Sequence, residues 1–114
     1  MFEEHQEKFL AEVQNSGTLL VVEGKRDRKV LEKVGLDNII EIGGKRLEKV
    51  ADIANGKETK VTILTDYDKE GIKQYKRLKS LLLAEGMEID DRLRREFKRT
   101  FLVNKIEELV SYFK

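Results

Sequence analysis

The chain has 114 residues, enough for one domain with a modest core. Charged and hydrophobic residues each make up 39%, so the surface must be densely charged; yet the net charge is only +1, and any nucleic-acid partner must be met by a local basic patch. The absence of cysteine excludes disulfides, thiolate metal sites and cysteine nucleophiles. No apolar run approaches membrane-spanning length and the amino-terminal stretch is acidic and amphipathic, so the expected location is the cytoplasm, with no membrane partner.

In chain order, Phe2 to Gln14 reads as a helix whose stripe is Phe2, Phe9, Leu10 and Val13, stopped by Asn15-Ser16-Gly17. His5, the sole histidine, sits among Glu and Gln on its surface and reads as solvated, which leaves a Ser-His-Asp device without support. Leu19–Glu23 is a first strand and Arg26–Val34 a helix with Val30, Leu31 and Val34 inward. Asp27 falls in that helix's first turn, where a carboxylate suits the helix dipole; this reading is preferred to a metal-ligand role. Asn38–Ile42 is a second strand, ended by Gly43-Gly44, and Arg46 to Ala54 a third helix. Val61–Thr65 is a third strand, and Gly71 to Glu85 the longest helix, with Ile72, Tyr75, Leu78 and Leu82 on one face. Met87–Ile89 is a candidate strand stub, Asp91 to Arg99 a basic helix, Thr100–Val103 a connector or short strand, and Lys105–Phe113 a last helix with Ile106, Leu109, Val110 and Phe113 inward. Strands alternating with helices predict an α/β fold: a mainly parallel sheet of three or four strands, layered α/β/α, in one domain spanning residues 1–114.

The chemistry concentrates at two strand ends. Val61–Thr65 is uniformly apolar or β-branched, as a parallel strand covered on both faces should be. It runs into Asp66-Tyr67-Asp68-Lys69-Glu70-Gly71, placing two carboxylates where open α/β sheets bind ligands. Residues two apart on an extended chain point the same way, and Gly71 is expected to permit the turn into the helix. Leu19–Val22 ends likewise in Glu23-Gly24-Lys25. If the two strands are parallel neighbours, Glu23, Asp66 and Asp68 converge on one rim. Three acids there repel one another unless a cation is bound, and an all-oxygen donor set favours Mg2+ or Mn2+, one ion or two. The spacing Asp66-x-Asp68-x-Glu70 also opens a calcium-loop pattern, but its twelfth position is Arg77 and a strand precedes it, so that reading is rejected.

Neither G-x-x-x-x-G-K-[ST] nor G-x-G-x-x-G occurs, though the amides of Gly43-Gly44 before Lys45-Arg46 could hold a phosphate. Lys25, Lys45 and Lys69 closely follow strand ends and are candidate phosphate contacts with Gly24, Gly43 and Gly44; a solvated lysine is the plain alternative for each. Arg92, Arg94, Arg95, Lys98 and Arg99 are the candidate nucleic-acid contacts, against a solvated helix pairing with Asp90, Asp91 and Glu96. No aromatic platform for base stacking is evident, so backbone contacts with little sequence preference are expected.

Val22-Glu23-Gly24-Lys25, Gly43-Gly44 and Thr65-Asp66-Tyr67-Asp68-Lys69-Glu70-Gly71 together resemble the Toprim domain of topoisomerases, bacterial-type primases, OLD-family nucleases and the 5S ribosomal RNA maturation nuclease. The resemblance covers roughly residues 18–89, and Glu23-Gly24-Lys25-x-Asp27 with Glu41-x-Gly43-Gly44 is closest to that maturation nuclease and to small stand-alone Toprim proteins. It implies a Toprim fold, an acid/base or metal-ligand role for Glu23, and magnesium held by Asp66 and Asp68. The implied function is Mg-dependent phosphodiester chemistry on RNA or DNA. Its alternatives are primase-like nucleotidyl transfer and a non-catalytic metal-bearing module docking on nucleic acid or a larger protein or ribonucleoprotein complex. The sequence contains no separate tyrosine-bearing domain, which topoisomerases need, and no zinc-binding or helicase-binding domain, which primases need.

Overall fold

A computed structural model describes residues 2–57 and 60–113. Its strands are β1 (Leu19–Val22), β2 (Ile39–Glu41), β3 (Lys60–Ile63) and the two-residue β4 (Glu88–Ile89). They form a wholly parallel sheet in the order β2-β1-β3-β4. The helices are α1 (Glu4–Asn15), α2 (Lys25–Lys33), α3 (Leu47–Asn55), α4 (Lys69–Ala84) and α5 (Asp91–Phe101), followed by a 3₁₀ segment, Ile106–Phe113. This is the three-layer α/β/α arrangement expected of the alternating pattern, and the stub after α4 is a true fourth strand.

β1 divides the core, because successive side chains of a strand point to opposite faces. Leu20 and Val22 pack with α1, α2, α5 and the 3₁₀ segment, where Phe9, Leu31, Phe97, Phe101 and Ile106 are buried. Leu19 and Val21 pack with α3 and α4, where Val50, Ala54, Leu78 and Leu82 are buried. Thr18 and Thr62 satisfy each other's hydroxyls at 2.9 Å inside the sheet. Gly17 ends α1 at φ +71°, a left-handed conformation that glycine adopts without strain.

Four expectations need correction. Ile72 is 40% exposed and does not join the inward face of α4. The last helix is 3₁₀, and its Val110 is 49% exposed because the tighter winding rotates it outward. α5 runs on to Phe101, with Leu102 in left-handed conformation beyond it, so 100–103 forms no strand. Gly71 makes no turn, since it is the third residue inside α4 and its φ is ordinary.

Candidate active site at the ends of β1 and β3

Because β1 and β3 are hydrogen-bonded neighbours, their carboxyl ends lie side by side. Glu23 follows β1, and its Oε2 accepts from the backbone N–H of Asp66 at 2.6 Å. Asp66 Oδ1 in turn accepts from Ile106 N–H at 3.0 Å. Asp68 caps α4, its Oδ1 accepting from Gly71 N–H at 2.8 Å. One oxygen of each acid is thus fixed by a backbone donor, and the other has no hydrogen bond among the described residues. Burial raises the Glu23 pKa, and the charges of Asp66 and Asp68 add to it; Asp66 is raised by burial and then by Asp68. Clustered, half-buried, oxygen-only donors in mutual repulsion fit a hard divalent cation. As placed, however, no three His, Cys, Asp or Glu side chains among the described residues gather around a common ion position. Glu23 and Asp66 meet, while Asp68 is turned to its cap.

The phosphate-binding candidates surround this rim unevenly. Gly24 precedes α2, and its N–H is held by Asp27 Oδ2 at 3.1 Å. Gly43 N–H donates to the Glu23 carbonyl at 2.9 Å, which draws the Gly43-Gly44 turn to the same edge. Lys25 and Lys69 are exposed at the first positions of α2 and α4. Lys45, also exposed, bends back to the Glu41 carbonyl at 3.4 Å.

Asp27 is more than a helix-dipole partner. It is 8% exposed, and burial, followed by the charge of Asp66, lifts its pKa to about 6. A folded-state value above the unfolded one means the native protein binds more protons between about pH 4 and 6. Stability is therefore fully present below that window and falls as pH rises through it. Asp27→Asn keeps an acceptor for Gly24 N–H and removes the ionisation. It is expected to flatten that decline and raise stability at pH 7 by on the order of 2 kcal/mol, read by urea unfolding across the pH range. An undiminished decline in the variant would exonerate Asp27.

The return of residues 104–107 to the rim was not anticipated. Asn104 accepts from Tyr67 N–H at 2.6 Å, Ile106 N–H reaches Asp66, and the Lys105 charge stabilises the ionised forms of both Glu23 and Asp66. Lys105 is thus a cation of the site that no motif marks.

Among the basic residues of α5, Arg94 is not a nucleic-acid contact. It is 7% exposed, and its guanidinium donates to the carbonyls of Ile63 (3.0 Å), Thr65 (2.8 Å) and Asp66 (3.3 Å). It lies 4.5 Å from the ring centroids of both Tyr67 and Tyr75. Arg92 is exposed and paired with Glu12 of α1. Arg95, Lys98 and Arg99 are exposed, Arg99 bridging Glu96 at 3.3 Å. Tyr67 and Tyr75 adjoin the basic residues: with Ile72, Arg95, Lys98 and Arg99 they line a cleft of about 430 Å³ between α4 and α5, and their rings are met by Arg94, by Lys98 (Tyr67, 5.5 Å) and by Lys79 (Tyr75, 5.7 Å).

A family model described as a Toprim domain matches residues 17–91. A UPF0292 protein of Pyrococcus furiosus is 36% identical over 92% of this chain and 80% of its own length. Another from Thermococcus gammatolerans is 32% identical over 99% of this chain and 89% of its own. A solved structure of a protein from Aquifex aeolicus superposes with a TM-score of 0.81 at 31% identity, covering 93% of this chain and 99% of that one.

Proposed function

This chain belongs to the Toprim family and to its UPF0292 relatives, and from that premise we propose that it is a metal-dependent nuclease, cleaving phosphodiester bonds of RNA or DNA in the manner of the 5S ribosomal RNA maturation enzyme. Toprim domains as a class are metal-dependent and act on nucleic acid, which supports the coarser half of this reading. The observation that carries the finer half is the contact of the Glu23 carboxylate with the Asp66 backbone at the ends of two adjacent parallel strands.

Asp66, Asp68 and Glu23 would hold one or two Mg2+ or Mn2+ ions. Bound there, the metal would polarise the scissile phosphate and lower the pKa of a water. The residues do the remainder. Desolvation, followed by the charges of Asp66 and Asp68, raises the affinity of Glu23 for a proton, the direction a general base needs if Asp66 and Asp68 hold the ion without it. The Asp66 N–H holds that carboxylate in orientation. Lys105, with Lys25 and Lys69, offers positive charge to the phosphate and to the leaving oxygen.

The test is incubation with labelled structured RNA, single-stranded DNA and duplex DNA, in magnesium or manganese and then in EDTA. Wild type is expected to cleave only with metal, and Glu23→Gln and Asp66→Asn to lose at least ~100-fold in rate. Without nucleic acid, metal at ~100 times its Kd should stabilise wild type by about 2.7 kcal/mol and Asp66→Asn by far less. Metal stabilisation and tight binding without cleavage would replace the nuclease with a non-catalytic binding module; extension of a strand by added nucleoside triphosphates would replace it with a primase-like transferase.

A further inference from the structure

The cleft between α4 and α5 is not part of the acid site, yet it shares a wall with it. Tyr67 stands between the two aspartates in sequence, and its hydroxyl donates to the Arg94 carbonyl at 2.7 Å. Arg94 holds the Asp66 carbonyl from the other side. The acid rim and the cleft are therefore tied to each other through Tyr67 and Arg94.

Its chemistry is two-sided. Its apolar lining is the exposed Ile72 side chain and the half-buried Tyr67 and Tyr75. Its exposed basic lining is Arg95, Lys98 and Arg99. The lining acid, Asp91, is already committed: it bonds Lys79 at 2.5 Å and the Tyr75 hydroxyl at 2.6 Å. Lys79 holds it below the usual carboxylate range despite its burial. Arg95, Lys98 and Arg99, the last also bridging Glu96, thus surround an interior whose acid is paired and which holds the Arg94 guanidinium as well; the lining is net positive, which suits an anion attached to a flat apolar body. The volume, about 430 Å³, lies within the ~300–1,000 Å³ of small-ligand sites and far below what a duplex would need.

We propose that this cleft takes one unpaired nucleotide of the substrate strand, its base against Ile72 and the tyrosines and its phosphate against Arg95, Lys98 and Arg99. The substrate class of the acid site is then single-stranded nucleic acid, or the unpaired segment of a folded one. The inference rests on the reading of the acid rim as a nucleic-acid site, and its test separates the two.

Fluorescence anisotropy should compare a labelled single-stranded oligonucleotide, the same strand with abasic sites and the matching duplex, using the full chain in EDTA. Wild type is expected to bind the intact single strand roughly tenfold more tightly than the abasic one, the usual scale of one base contact, and more tightly than the duplex. Ile72→Glu, at an exposed position, should lower intact-strand binding to the abasic level while keeping wild-type stability. Lys98→Ala should reduce the salt slope by about one. Equal affinity for intact and abasic strands, preference for duplex, or no effect of Ile72→Glu would each overturn the proposal. So would binding of free adenosine monophosphate with no base-dependent binding of the strand, because the cleft would then be a mononucleotide site. Metal-dependent cleavage that is indifferent to abasic sites and to Ile72→Glu would remove the cleft and leave the nuclease. Base-dependent binding without any cleavage would remove the nuclease and leave the cleft.

Discussion

Gly71→Ala is expected to cost about 3 kcal/mol or more of stability and to abolish whatever the acid rim does. A Cβ at position 71 would lie 2.0 Å from the Asp66 carbonyl oxygen and 2.6 Å from its carbon. Both obstacles are backbone, so no side chain can swing aside. Three bonds hang on the same approach: Gly71 N–H to Asp68, Thr65 Oγ1 to the Gly71 carbonyl at 2.7 Å, and, through the displaced Asp66, its N–H to Glu23. Overpacking of this kind costs roughly 1–3 kcal/mol, and loss of a helix cap about another 1. For a chain of this size the melting temperature should fall by roughly 10–15 °C. Gly44→Ala is the control: nothing lies within 4 Å of its would-be Cβ and its φ is not in the left-handed range, so stability should move by less than about 0.5 kcal/mol. Equal melting temperatures for the two variants would refute the close approach.

That glycine also shows where sequence reasoning stops. A strand buried on both faces announces itself as an unbroken apolar run, so Leu19–Val22 and Val61–Ile63 were legible, and with them the placing of Glu23, Asp66 and Asp68 at adjacent ends. Asp66-x-Asp68-x-x-Gly71 was legible as a motif, but its glycine reads as a turn; only coordinates reveal the Asp66 carbonyl against its Cα. The return of Asn104–Glu107 had no signal, because a contact across forty residues leaves no local periodicity. Asp68 reads as a metal ligand, whereas in the fold one of its oxygens caps α4 through Gly71 N–H. Arg94 is the instructive miss. In a run as basic as Arg92 to Arg99 each cation reads as a nucleic-acid contact or as a solvated charge. Yet Leu93, Phe97 and Phe101 form an i, i+4, i+8 stripe, and position 94 falls about 20° from Phe101 around an axis turning about 100° per residue. The stripe, and not the charge, decides which cation goes inside.

Replacing Arg94 with methionine should then destabilise the fold by about 3–5 kcal/mol, whatever it does to binding. The reason is the shortness of β4. In a parallel sheet alternate carbonyls of β3 face the β4 side, and Asp90 N–H takes the first of them, Val61, at 2.8 Å. β4 pairs only as far as Val61, so the carbonyls of Ile63 and Thr65, on the same edge, have no strand to meet. The Arg94 guanidinium takes both, standing in for the missing residues of β4. One terminal nitrogen, Nη1, bonds Ile63 and Thr65 while the other, Nη2, reaches the Asp66 carbonyl, and the flat group lies against both tyrosine rings; a lysine ammonium, a single point donor without a plane, cannot make all of these contacts, so Arg94→Lys should recover only part of the loss. A buried carbonyl left unpaired costs ~1–3 kcal/mol, and the two tyrosine faces that flank the cation add on the order of 1 kcal/mol. Equilibrium unfolding in urea reads the loss directly. Lys98, one turn further along the same helix and exposed, should give the opposite result: unchanged unfolding in Lys98→Ala with weakened strand binding. Should Arg94→Met unfold at the wild-type midpoint, the sheet edge must be held by something other than this side chain.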